Sequence, residues 1–146
     1  MRVRPGLVAS HLLCHGDRYA LVDVGTSSCL PVMRAVMTAM DIRPEQVDYV
    51  MVTHVHLDHA GAAGSLLQEL PAARLIVHPR GARHMIDPSK LIAGAAAVYG
   101  EDVLHDTFGD IVPVPAERVI EAADGMQLDF NGRPLLFLDT PGHARH

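Results

Sequence analysis

The chain has 146 residues, 49% of them hydrophobic, 20% charged and 4% aromatic, with a net charge of -5 and no tryptophan. That length fits one domain, residues 1–146, able to bury a core of Val, Leu, Ile, Ala and Met without staples. The acidic balance and the lack of any basic run exclude a nucleic-acid surface, and no stretch approaches the roughly 18 to 20 apolar residues of a membrane span.

Leu7 to Cys14 reads as a strand, turned at His15-Gly16-Asp17 into a hairpin partner, Tyr19 to Val24, which Gly25 closes. Pro31 opens an apolar helix, Val32 to Met40, and Asp41 to Gln46 is a polar connection. Val47 to Thr53 is a β-branched run suited to a buried strand, and Ala60 to Leu70 has helical spacing stopped by Pro71. Arg74 to His78 is a short strand ended by Pro79. Asp87-Pro88 starts a helix that runs to Tyr99, with Gly100 as its stop. Over Asp102 to Glu117, Pro113 and Pro115 argue against a regular helix. Arg118 to Glu121 and Met126 to Phe130 read as strands, Asn131-Gly132 as a hairpin turn, and Pro134 to Asp139 as the next strand. Alternating strands and helices give an α/β or α+β chain.

Cys14 and Cys29 lack metal-type spacing and are expected as reduced core residues of a cytoplasmic protein. Met1 to Gly6 leads into no long apolar run, so no secretory signal is expected.

The chemistry concentrates in His54-Val55-His56-Leu57-Asp58-His59, between the apolar strand and a helix. Neutral imidazole and carboxylate are the groups that zinc and iron accept. His54 and His56 leave an extended segment on one side, while Val55 and Leu57 alternate into the interior. Asp58 and His59 stand where the helix begins and can point to a neighbouring position, so one loop can serve two adjacent ions. The alternative is a solvated loop with Asp58 capping the helix, and capping does not exclude ligation. His143, after the last strand and Thr140-Pro141-Gly142, is the candidate third imidazole. Asp23 is either an acceptor for a ligand's N–H or a turn-initiating Asp before Gly25.

Thr53 to Gly61 resembles the H-x-H-x-D-H signature of the metallo-β-lactamase superfamily. Leu21-Val22-Asp23-Val24-Gly25 resembles its upstream strand motif, and Leu138 to His143 the segment bearing its third ligand histidine. Val77 to Lys90 is similar to a glyoxalase II-like subset. The resemblance implies an αββα sandwich, here its N-terminal half plus the third-motif strand. It implies a first metal held by His54, His56 and His143, and Asp58 and His59 at a second, with Asp58 the catalytic carboxylate. Zinc, as one or two ions, is the expected cofactor, with iron or manganese as alternatives. The implied activity is hydrolysis of a small ester, thioester or similar small-molecule substrate by metal-activated hydroxide. Family members continue past the position of His146 with further ligands to the second metal, so a missing C-terminal segment or a homo-oligomeric partner is expected. A persulfide dioxygenase-like iron enzyme and a catalytically incomplete fragment that binds metal or a partner chain are the competing readings.

The other histidines read as ordinary. His11 and His15 are expected at the surface, His78 and His84 beside a turn and helix start, His105 as incidental and His146 in a frayed terminus.

Overall fold

The computed structural model describes residues 8–146. The expectations for Met1 to Gly6, and for Leu7 as a strand start, lie outside those residues.

The first sheet has five strands in sequential order: β1 (His11–His15), β2 (Arg18–Val22), β3 (Val47–Met51), β4 (Arg74–Val77) and β5 (Val119–Glu121). β1 is antiparallel to β2, and β2 to β5 run parallel. Parallel strands bury both faces, which explains their continuous apolar runs. Leu21, Val50, Leu75 and Val77 join one cluster, under α1 (Leu30–Ala39), α3 (Ala63–Glu69) and α4 (Pro79–Ile86). Ala20, Met51 and Ile76 alternate to the other face and meet Phe130, Leu128 and Leu135. Those last residues belong to the second sheet, a hairpin of β6 (Gln127–Phe130) and β7 (Arg133–Leu136).

Helix, sheet and sheet therefore stack in order, as expected for the N-terminal half of an αββα sandwich plus the third-motif strand. Asn131 (φ 52°) and Gly132 (φ 87°) turn the hairpin in the left-handed region, as the Asn-Gly signal requires. Leu136 is 55% exposed on the hairpin's outer side.

Three expectations about helices are corrected. Two short helices, α2 (Leu57–Ala60) and α3, replace one continuous helix from Ala60, because the chain bends at Gly61-Ala62 to hydrogen-bond the loop after β2: Ala62 N–H donates to Gly25 C=O at 2.9 Å. α4 was unforeseen: Pro79 ends β4, but it also occupies the first turn of a helix, and the His78 ring accepts from Arg80 N–H at 3.1 Å as its cap. α6 (Glu101–Phe108) is a regular helix inside the stretch expected to lack one, since Pro113 and Pro115 lie beyond its end at Gly109. α5 (Ser89–Tyr99) matches its expectation. α5 and α6 share a small cluster of their own, Leu104 and Phe108 with Leu91 and Ile92, which closes onto Leu57. Cys14 is exposed and Cys29 half-buried, both as free thiols, so neither is a fully buried core residue.

Candidate metal centre

Because β2 to β5 run parallel, their C-terminal ends share one edge, where open α/β sheets place their ligands. Asp23 follows β2, the loop from Thr53 to His56 follows β3, and His78 follows β4. Val55 and Leu57 are 0% and 5% exposed and belong to different apolar clusters. They pin the loop on either side of His56 and turn the imidazoles outward, as the alternation in the sequence predicts.

His54, His56 and His143 come together with ligand nitrogens all within 4.8 Å of one another. Hydrogen bonding selects which nitrogen of the His54 ring faces in. His54 Nδ1 lies 3.0 Å from Thr53 Oγ1, whose hydroxyl donates to the Asp23 carboxylate at 2.9 Å. Thr53 then accepts from His54 Nδ1–H, which leaves the lone pair on Nε2. That Nε2 is buried and has no protein partner. His56 Nδ1 and His143 Nε2 stand 3.1 Å apart, near the roughly 3.3 Å edge of a tetrahedron with Zn–N bonds of about 2.05 Å. A buried imidazole nitrogen without a partner, facing two more ring nitrogens at ligand spacing, fits a transition-metal ion of the imidazole-binding kind.

Burial, and then the neighbouring His59, His56 and His143 rings, push the His54 pKa down from 6.5 to about 4. Burial and then His143 lower that of His56 as well. Both imidazoles are thus held in the neutral form that a metal requires.

Asp58 and His59 lie outside that group of three. His59 Nδ1 donates to Asp23 Oδ2 at 2.8 Å, which directs its Nε2 towards Asp58 Oδ2, 3.7 Å away. The His59 ring is 4.2 Å from that of His54, between centroids, so the pair forms a second polar station beside the first. Asp23 is 5% exposed and also accepts from Thr53 N–H at 2.8 Å. It holds His59 directly and His54 through Thr53. Its two candidate roles coexist, because Asp23 also turns the chain with φ 51°.

The site also contains residues that the sequence did not mark. His146 lies against His56, ring centroids 5.3 Å apart, rather than in a loose end. Its spacing of three from His143 was the available signal. His78 lines the same cleft, of about 330 Å³, together with Thr140, Arg145 and His146. His11 is exposed, as expected, whereas His15 is half-buried with its Nδ1 3.1 Å from Asn131 C=O. No described helix is long and apolar enough to cross a membrane.

A family profile described as "Metallo-beta-lactamase superfamily" matches residues 3–146. A metallo-β-lactamase fold-containing protein of Sulfurisphaera tokodaii is 27% identical over 97% of this chain and 52% of its own length. A hydroxyacylglutathione hydrolase of Aeromonas hydrophila is 27% identical over 91% of this chain and 38% of its own. Among solved structures, a metallo-β-lactamase of Cronobacter sakazakii superposes with a TM-score of 0.67 at 27% identity, over 92% of this chain and 47% of that one. The chain thus spans about half the length of the first of these relatives and less of the others. With the profile matched from residue 3 to residue 146 and the three-layer fold in place, the chain belongs to the metallo-β-lactamase superfamily.

Proposed function

We propose that the chain is the metal-binding part of a hydrolase acting on a small ester or thioester, with His54, His56 and His143 holding a zinc ion and Asp58 and His59 contributing to a neighbouring second one. The observation that carries this reading is the buried, unpartnered Nε2 of His54 aimed at the nitrogens of His56 and His143. A zinc ion held by these three histidines would supply hydroxide near neutral pH and Lewis-acid polarisation of an acyl oxygen. The protein's share is positional. Asp23 and Thr53 fix the ring orientation of His54, Asp23 fixes that of His59, and Val55 and Leu57 fix the loop between them. Asp58, half-buried beside His59, would hold or orient the attacking water as the catalytic carboxylate. The thioester preference draws support from the hydroxyacylglutathione hydrolase relative. A cytoplasmic setting draws support from the two free thiols.

Metal analysis of the purified chain, followed by assay of the zinc-reconstituted protein on a panel of esters and thioesters, tests the proposal. Zinc at the triad, its loss in His56→Ala, and zinc-dependent hydrolysis are expected. Bound iron with dioxygen consumption overturns the hydrolytic reading in favour of an oxygenase. Unchanged metal content in His56→Ala removes the metal assignment itself.

A further inference from the structure

The outer side of α1 departs from the pattern of a surface helix. Leu30, Met33 and Met37 turn inward to the core under the first sheet. On the opposite side Val32, Val36 and, at the C-terminal cap, Met40 recur at spacings of four and are 65%, 44% and 52% exposed, with Ala35 and Ala39 exposed between them. A helix at a protein surface ordinarily puts charged and polar groups there. The one charged residue of α1, Arg34, stands to the side of the stripe and pairs with Glu69 of α3. Among the described residues no other helix exposes three large apolar side chains. Elsewhere the exposed Leu136 and Leu138 line the metal cleft, and Tyr99 packs its ring on Phe108 at 5.7 Å between centroids. With its two alanines the α1 stripe forms a contiguous apolar patch of roughly 300 Å², a size at which such patches are often functional.

The stripe is complementary to itself. About a two-fold axis beside Ala35 and Val36, an antiparallel second α1 sets Val32 opposite Ala39, Val36 opposite Ala35 and Met40 opposite Pro31. Each longer side chain then meets a smaller residue, as an isologous contact between helices requires. Charge agrees with this direction. α1 has no acidic residue in its first turn and no basic residue in its last, and the exposed Asp41 follows its C-terminus, where the helix dipole disfavours a carboxylate. In the antiparallel pair Asp41 of each copy comes to the positive end of the other helix. A lipid surface fits poorly, because a membrane-lying helix flanks its apolar face with free Lys and Arg, and the single cation of α1 is paired. A fourth layer of the sandwich would cover the outer side of the hairpin, which lies across the first sheet from α1.

We propose that α1 is the contact surface of a two-fold homodimer, in which the stripe of Val32, Val36 and Met40 packs antiparallel on its own copy. The inference goes beyond the hydrolase reading and does not depend on it. Two such patches with their rims bury less than the roughly 1,200 Å² at the lower end of standard interfaces. The dimer is therefore reversible, exchanging with monomer in the micromolar range.

Sedimentation velocity on the full chain, metal-free and zinc-loaded, from about 1 μM to about 1 mM, tests this. A monomer–dimer equilibrium of the same strength in both forms is expected. Val36→Glu, beside the axis, should weaken it at least about tenfold, while Val98→Glu, at a site 73% exposed on α5, leaves it unchanged. Val32→Glu and Ala39→Lys should associate more tightly when mixed than either does alone, since the new charges meet across the axis only in the antiparallel pair. If Val36→Glu does not fold, that mixture carries the comparison. A chain that is monomeric throughout the range overturns the dimer, as does association undiminished in Val36→Glu or lost instead in Val98→Glu. Association only with zinc overturns it in favour of bridging by the ion. A monomer that co-sediments with phosphatidylcholine/phosphatidylglycerol vesicles, and no longer does so in Val36→Glu, overturns it in favour of a lipid surface. Each of these outcomes leaves the metal triad untouched, and failure of the triad to bind metal leaves the dimer standing.

Discussion

Replacing Asp23 by Asn exchanges one oxygen for an NH2 group and leaves the side-chain volume almost unchanged. In the native structure Oδ1 accepts from Thr53 N–H at 2.8 Å, while Oδ2 accepts from Thr53 Oγ1 at 2.9 Å and from His59 Nδ1 at 2.8 Å. An amide must keep its oxygen towards Thr53 N–H, because that partner can only donate. Its NH2 then faces His59 Nδ1, which has to give up its proton and accept. The proton moves to Nε2, the nitrogen directed at Asp58, and that ring can no longer offer a lone pair there. Loss of an orienting partner of this kind costs roughly 10- to 100-fold in metal affinity, about 1.4 to 2.7 kcal/mol. Exchanging two charge-assisted hydrogen bonds for neutral ones in a buried pocket costs about 1.5 to 3 kcal/mol of stability. His54 is spared in the first instance, since Thr53 Oγ1 lies 3.1 Å from Oδ1 and keeps an acceptor there. Long-range proton–nitrogen spectra report the tautomer of each ring. The expected result is His59 protonated at Nδ1 in the native protein and at Nε2 in the variant, with His54 unchanged. Cobalt titration should show weakened binding at Asp58 and His59 and a retained site at His54, His56 and His143. A His59 ring with the same tautomer in both proteins, or equal loss at both metal stations, would falsify the assignment of Asp23.

The metal-free protein should lose stability on acidification. The unfolded chain protonates His54 below 6.5 whereas the folded one resists until about 4, and His56 shifts the same way. Between those values the unfolded state binds more protons, so stability falls as pH drops through that window and is flat above it. Urea unfolding at a series of pH values reads this directly, and a midpoint that rises on acidification there refutes it. Gly64→Ala should destabilise by about 2 kcal/mol, since its Cβ would overlap the Val112 carbonyl oxygen. The melting temperature should fall by about 4 to 8 °C, despite the higher helix propensity of alanine, and an unchanged value would show that the 112 loop yields. Leu57→Ala should cost about 2 to 5 kcal/mol and speed amide exchange across α5 and α6, whose cluster closes onto Leu57. Protection in those helices equal to that of the native protein would show that Leu57 does not anchor them.

The features that the sequence disclosed and those it hid divide along the range of the interactions involved. The triad loop was legible because its determinants are local. A β-branched strand delivers the loop, and alternation at Val55 and Leu57 (0% and 5% exposed) decides which side chains leave it. The hairpin at Asn131-Gly132 was legible for the same reason, two left-handed residues at the turn. α4 and α6 were lost where one residue type carries two meanings. Proline ends a strand at position 79 and opens a helix at that same position, and Pro113 and Pro115 restrict only the chain beyond α6. His146 was misjudged because its environment is assembled from distant segments: α4 supplies His84 and the loop after β3 supplies His56. Nothing within a few residues of His146 announces either. Asp23 is the intermediate case. The turn role is visible from Gly25 alone, whereas the hold on His59 exists only because β2 and β3 are parallel neighbours, with Asp23 N–H donating to Met51 C=O at 2.9 Å. That single pairing sets the carboxylate beside Thr53 and His59, so the orientation of two candidate ligand rings depends on strand register. A shift of β2 against β3 by one residue would carry Asp23 to the opposite face of the sheet, away from both rings.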